Sequence, residues 1–137
     1  MSSYRVSVER TSDNRYVASN SRGAQLELTG SGQGALFSPV ELLLVATIGC
    51  NIVTTEPLTA HRGHRLPRLT ISAVSDKVER NKLGPVTVTY SVTFPAGDHD
   101  AERIFREVAE RVEELHCTVS RSLREGTPVL LDLEEVS

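Results

Sequence analysis

The chain has 137 residues, with 15 basic against 18 acidic side chains and a formal net charge of -3. That length suits one domain spanning residues 1–137, large enough to build a core without disulfide or metal staples. The acid-leaning balance leaves no electrostatic footprint for nucleic acid or an anionic membrane surface, and 4% aromatic content without Trp removes stacking platforms for single strands.

The first third predicts strands. Tyr4, Val6 and Val8 alternate with Arg5, Ser7 and Glu9, the period of a half-buried strand. Thr11-Ser12-Asp13-Asn14 forms a turn cluster, residues 15–18 a second strand, 20–23 a second turn and 24–29 a third strand. This is a three-stranded meander, broken by the flexible loop Gly30-Ser31-Gly32-Gln33-Gly34.

Ser38-Pro39-Val40-Glu41 then has the form of a capping box, with Pro at the first helical position. The run Leu42-Leu43-Leu44-Val45-Ala46-Thr47-Ile48 is apolar on nearly every face, which predicts a buried central helix. Pro57 predicts an end or kink near Glu56. Leu69 and Ile71 open one arm of a long hairpin running to Glu79, with its turn over residues 81–85. Val86, Val88, Tyr90, Val92 and Phe94 alternate with polar residues as the other arm.

Asp98 or Asp100 caps the next helix, in which Ile104, Phe105, Val108, Val112 and Leu115 share one face. The charged residues between them, Glu113 included, read as a solvated face. A break at His116-Cys117 precedes a short helix from Thr118 to a Gly126 stop, and Val129, Leu131 and Leu133 alternate as a last strand.

The two cysteines, Cys50 and Cys117, are too few for a secreted disulfide scaffold. Met1-Ser2-Ser3-Tyr4-Arg5 lacks the apolar stretch of a signal peptide, and the apolar run over 42–46 is far short of the roughly 20 residues that span a bilayer. The chain therefore reads as cytoplasmic, where thiols stay reduced. Such thiols are core residues, metal ligands or a redox pair.

Cys117 stands before a short helix, where unpaired N–H groups and the helix dipole stabilise a thiolate; the same place suits a small hydrophobe. Cys50 lies about three turns inside the buried helix, beyond the reach of that dipole. Gly49 beside it costs roughly 1 kcal/mol against Ala in a helix interior, which suggests a close approach to the backbone there. His61 and His64 sit in a basic loop and read as surface residues. The paired ligand spacing of structural zinc is missing, and no phosphate-binding Gly-rich motif is present. His116 directly precedes Cys117, and neighbouring side chains diverge; a Cys50–His116 pair has no support in the sequence.

Read together, the two cysteine segments carry more. Phe37-Ser38-Pro39-Val40-Glu41-Leu42-Leu43-Leu44-Val45-Ala46-Thr47-Ile48-Gly49-Cys50 resembles the first cysteine motif of the OsmC/Ohr family, a Pro-x-Glu-Leu-like helix start leading to Gly-Cys or Ala-Cys. His116-Cys117-Thr118-Val119-Ser120-Arg121-Ser122-Leu123 looks like the second, a Cys-Pro-Val-Ser-like segment. The 67-residue separation and the order of elements are also comparable, so the resemblance covers essentially the whole chain.

The resemblance implies an α+β, OsmC-like fold, βββ-α-ββ-αα-β, with antiparallel sheets around a buried central helix. It implies an intertwined homodimer with two sites at the subunit interface. The implied activity is thiol-dependent reduction of organic hydroperoxides and, less well, of hydrogen peroxide. Cys50 would be the peroxidatic and Cys117 the resolving cysteine, re-reduced by an external dithiol without a cofactor or metal. The alternative is an OsmC-fold binding protein that holds an apolar small molecule with little turnover.

Departures bear on the supporting residues. The family holds its reactive thiolate with an Arg and a Glu. Glu41 is the matching Glu, but it lies one position nearer the cysteine than in the hydroperoxide-resistance branch, where Val40 would align. At about 100° per residue, it falls on the opposite helix face from Cys50 and about 13 Å away, which favours the capping role, with service to a site across a dimer interface as the alternative. Arg15 is the nearest match for the Arg, with Arg10 and Arg22 as competitors. The pattern is closest to a divergent OsmC-like subgroup.

Overall fold

The computed structural model describes residues 3–30 and 34–133. Residues 31–33 of the predicted glycine loop lie outside them. The chain divides into two compact units at the boundary between Ala46 and Thr47.

In the first unit, β1 (Val6–Ser12), β2 (Arg15–Asn20) and β3 (Gln25–Leu28) form the expected antiparallel meander in the order β1-β2-β3. β1 runs longer than predicted because the first turn closes on Asp13 and Asn14 alone, β2 extends to Asn20, and β3 is shorter than predicted. Asn14 takes a left-handed φ of 55°, which Asn tolerates better than most residues. The second turn is held by Asn20, whose Oδ1 accepts from the Arg22 and Ala24 N–H groups, each at 3.0 Å. The alternation of β1 does not give a half-buried strand in one chain: Val6 is 79% and Val8 58% exposed.

Helix α1 (Pro39–His61) starts in the first unit and continues into the second. Its capping box is formed: the Ser38 N–H donates to Glu41 Oε1 at 2.9 Å, and the Glu41 N–H to Ser38 Oγ at 3.2 Å. Of the end or kink expected near Glu56, the end does not occur: the helix continues to His61. Pro57 removes only the bond to the Val53 carbonyl, and Val53 is 69% exposed, so water can serve that oxygen. The end falls instead at Gly63, whose φ of 92° lets its N–H reach the Ala60 carbonyl and the His64 N–H the Thr59 carbonyl.

The buried side of α1 also corrects the sequence reading. The residues it buries are Thr47, Asn51, Thr55 and Thr59, a polar stripe at i, i+4, i+8 and i+12. Val45 and Val53 are exposed. With 23 residues, α1 is long and apolar enough to cross a membrane, although interruptions such as Gly49 and Asn51 kept its uninterrupted apolar run short. The core helix of a soluble protein meets the same length and composition.

In the second unit, β4 (Arg68–Val74) pairs antiparallel with β7 (Thr87–Thr93), Ile71 opposite Tyr90. Between them β5 (Lys77–Glu79) and β6 (Lys82–Leu83) make a small hairpin of their own. Its turn falls at Arg80 and Asn81, earlier than predicted, because Asn81 accepts a left-handed φ of 65°.

Helix α2 (Ala101–Arg111) has Asp100 at its N-cap, but the side-chain bonds to its start come from Asp98, whose Oδ1 accepts from the Asp100 and Ala101 N–H groups at 3.3 and 3.1 Å. It buries Ala101, Ile104, Phe105 and Val108. Phe105 packs edge-on against Tyr90 and Phe94, with ring centroids 5.3 and 6.0 Å away.

The expected break after α2 is a π-turn (Val112–His116), closed by the Cys117 N–H on the Val112 carbonyl at 2.8 Å. The extra residue rotates the downstream chain. Val112 and Cys117, five apart, are both fully buried, and Leu115 turns outward at 57% exposure. Helix α3 (Thr118–Glu125) then runs to Gly126 in left-handed conformation, as predicted.

Residues 129–133 correct the expected last strand. They pair with no strand among the described residues, and Val129, Leu131 and Leu133 stand more than four-fifths exposed at 96%, 84% and 81%. Alternation supplies two usable faces, but a strand also needs a neighbour for its N–H and C=O groups.

Candidate active site

The π-turn delivers Cys117 into the small core of Ile104, Val108 and Val112, and Cys50 of α1 packs against that cluster. Both cysteines are free thiols, Cys117 buried and Cys50 half-buried. The structure thus brings together the two residues that the sequence singled out 67 positions apart.

Cys117 is the N-cap of α3. Its sulfur accepts from the Ser120 N–H at 3.4 Å, and its S–H donates to Ser120 Oγ at 3.3 Å. These bonds are the helix-terminus effect expected from the sequence, but they do not prevail. Burial pushes the Cys117 thiol up; the two Ser120 bonds pull it down, and hydrogen bonding and charge at Cys50 push it up again. Cys117 therefore rests as a thiol, not a thiolate.

The bonding continues outward. Ser120 Oγ donates to Glu113 Oε2 at 3.4 Å, and Arg124 Nη2 donates to Glu113 Oε1 at 2.7 Å. Arg124 also donates from Nη1 to the Glu113 carbonyl at 3.4 Å. Glu113 is thus tied to the cysteine cap and does not belong to a purely solvated face. On β7, the Tyr90 hydroxyl shares a 3.2 Å bond with Thr55 of the polar stripe. Burial raises the Tyr90 pKa, the Thr55 bond lowers it, and the nearby Glu113 and Cys117 raise it further.

Sequence reasoning missed Glu113, Ser120, Arg124, Tyr90 and Thr55. One signal was available: Ser120 lies three residues after Cys117, the spacing of a capping side chain and its N3 partner. Glu113 and Arg124 gave none, since the π-turn sets their meeting. Asn51, beside Cys50, is 1% exposed, and its amide has no hydrogen-bond partner among the described residues.

Of the remaining candidates, Glu41 is engaged in the capping box of the first unit. Arg15 opens β2 opposite Ser12, and its carbonyl accepts from Thr11 Oγ1 at 3.3 Å. Arg10 stands opposite Tyr16, and Arg22 lies in the Asn20 turn. His64 is not the surface residue expected: it pairs with Asp98 at 2.6 Å, its side chain only 17% exposed. His61 and His116 line a groove of about 610 Å³ between the end of α1 and the π-turn, with Arg62 and Glu114. Among the described residues, no three His, Cys, Asp or Glu side chains gather as a metal site.

An α+β chain with two free thiols meeting at a π-turn defines a class, and comparison with known proteins gives it a family. The family model described as OsmC-like protein matches residues 31–132, and the chain belongs to that family. An uncharacterized protein of Mycobacterium tuberculosis is 29% identical over 131 residues, 94% of this chain and 95% of that protein. An OsmC-like protein of unknown function from Vibrio cholerae superposes with a TM-score of 0.71 at 12% identity, covering 89% of this chain and 94% of the other. The organic hydroperoxide resistance protein OhrB of Bacillus subtilis superposes with a TM-score of 0.57 at 14% identity, covering 90% and 92%. At these identities the structures establish the shared fold.

Proposed function

We propose that the protein is a thiol-dependent hydroperoxide reductase of the cytoplasm, with Cys50 as the attacking and Cys117 as the resolving cysteine. The observation that carries this reading is the packing of Cys50 against the cluster containing Cys117, both unbridged. The resemblance to an organic hydroperoxide resistance protein supports the substrate class.

The Cys50 thiolate attacks the distal peroxide oxygen. The O–O bond breaks, the alkoxide leaves and takes a proton as the alcohol, and Cys50 becomes a sulfenic acid. Cys117 then attacks that sulfur; the S–S bond forms, the S–O bond breaks and water departs. An external dithiol reduces the disulfide and is itself oxidised, restoring two thiols. No cofactor or metal takes part in this cycle. The buried aliphatic cluster beside the thiols favours alkyl peroxides.

The working unit in this reading is a homodimer. In a single chain, α1 leaves Val45 and Val53 exposed, β1 leaves Val6 and Val8 exposed, and the alternating segment over 129–133 has no strand partner among the described residues. Apolar surface of this extent marks association. Glu41 and Arg15 serve, in this reading, as the family's supporting pair.

Peroxide consumption with a dithiol, compared between wild type and Cys50→Ser, tests the function. Consumption of cumene or tert-butyl hydroperoxide by wild type only is expected. Equal inertness of both proteins refutes the reading.

A further inference from the structure

We propose that Ser120 and Glu113 form a proton exit for Cys117, with Arg124 as the residue that positions Glu113. The inference rests on the peroxide-reducing reading above and adds to it the base of the second step.

Three observations carry it. First, the hydrogen bonds run in one direction. The Cys117 S–H donates to Ser120 Oγ at 3.3 Å, and the Ser120 O–H donates to Glu113 Oε2 at 3.4 Å. A proton leaving sulfur has an acceptor at each stage, and the chain ends on a carboxylate oxygen. Second, the path leads from inside to outside. Cys117 is 0% and Ser120 6% exposed, whereas the Glu113 side chain is 39% exposed. Third, the far carboxylate oxygen is pinned by Arg124 at 2.7 Å, which leaves Oε2 facing Ser120.

The need for such an exit arises from the burial of Cys117. A buried thiol does not ionise readily, and only the thiolate attacks a sulfenic sulfur. In the resolving step the Cys117 proton passes to Ser120 Oγ while the Ser120 proton passes to Glu113. The Cys117 sulfur bonds to the Cys50 sulfur, and hydroxide leaves Cys50 and takes a proton from solvent to become water. Glu113 then releases its proton to solvent. One sulfenic acid and one thiol become one disulfide and one water, with no other oxidant or reductant. Ser120 touches the reacting sulfur and is catalytic in this sense; Glu113 acts through it.

The test uses single turnover of the reduced, full-length protein with one equivalent of tert-butyl hydroperoxide. Quenched samples are read for disulfide by mass and for sulfenic acid by a dione probe. Glu113→Gln keeps an oxygen for Ser120 but loses the base. At neutral pH it should form disulfide about tenfold to a hundredfold more slowly than wild type, with Cys50 sulfenic acid accumulating meanwhile. Ser120→Ala should show the same deficit, and Ser120→Thr, which keeps the hydroxyl, should recover most of the rate.

The deficit of Glu113→Gln should shrink as pH rises, because hydroxide can then take the Cys117 proton directly. The other ionisable groups facing the path are Arg124 of α3, Tyr90 of β7 and Cys50 of α1. A purely structural role would leave the deficit constant with pH. For wild type itself, disulfide formation should slow in D₂O.

Wild-type rates in both Glu113→Gln and Ser120→Ala, a deficit that does not vary with pH, or equal wild-type rates in H₂O and D₂O each overturn the relay. Any of these, in a wild type that still forms the Cys50–Cys117 disulfide with peroxide, leaves the reading beneath intact. A wild type that yields neither sulfenic acid nor disulfide removes that reading and the relay with it.

Discussion

Replacing Gly49 separates what one chain needs from what two chains need. An ideal Cβ built on Gly49 meets nothing within 4 Å inside the chain. For an isolated chain, Gly49→Ala should therefore add about 1 kcal/mol through helix propensity alone. In a domain of this size that raises Tm by about 4 °C. Helix geometry places Gly49 on the same side of α1 as Val45 and Val53, the exposed apolar residues. If a second copy covers that side, the added methyl meets the partner, and overpacking costs about 1–3 kcal/mol, enough to cancel or reverse the gain. Gly49→Leu then blocks the contact outright. The assay is light scattering after size exclusion, with thermal unfolding monitored by circular dichroism. The expected result is no Tm gain for Gly49→Ala and a monomer for Gly49→Leu. A Tm gain of about 4 °C in the first, with an undisturbed dimer in the second, refutes the reasoning.

Other outcomes concern the second unit. The His64 hydrogen bond holds the Asp98 carboxyl below its ordinary value of 3.8, outweighing the opposing effect of burial. A depressed carboxyl contributes stability above its unfolded pKa that is lost as pH falls through the folded one. Asp98→Ala should therefore be less stable than wild type at pH 7, with the gap narrowing below about pH 4. Urea unfolding at both pH values checks this, and an equal gap at both contradicts it. Pro57→Ala restores the bond to the Val53 carbonyl and should stabilise the chain by about 1–3 kcal/mol; a lower urea midpoint contradicts it. In the reduced protein, iodoacetamide should label Cys50 before the fully buried Cys117, as peptide mapping would show, and the reverse order counts against the described burial.

What was legible in the sequence was local. The meander, the capping box and the alternating strand at Tyr90 each depend on residues within a few positions of one another, and each is present. The cysteines were legible because their flanking segments form recognisable motifs. The misses arose where geometry accumulates along the chain or where a partner is needed. A helical period carried through Leu115 keeps it in phase with Val112, but a single π-turn shifts the phase and buries Cys117 in its place. That shift also joins Glu113 to Ser120 and Arg124, so no spacing rule for a regular helix finds the trio. Pro57 misled because the carbonyl that loses its hydrogen bond belongs to Val53, an exposed residue, where water can replace the donor and the helix can continue. The strand expected at Val129 fails for want of a neighbour, and its apolar alternation is the part of the pattern that a second chain would explain.

The most direct measurement is the thiol state after one equivalent of an organic hydroperoxide, read by peptide mass mapping without added reductant. An intramolecular Cys50–Cys117 disulfide, formed in near-stoichiometric yield and absent from Cys50→Ser, is the predicted result. Cys50 carried on to sulfinic acid while Cys117 stays a free thiol would contradict the pairing, and two unmodified thiols beside unconsumed peroxide would contradict the chemistry altogether.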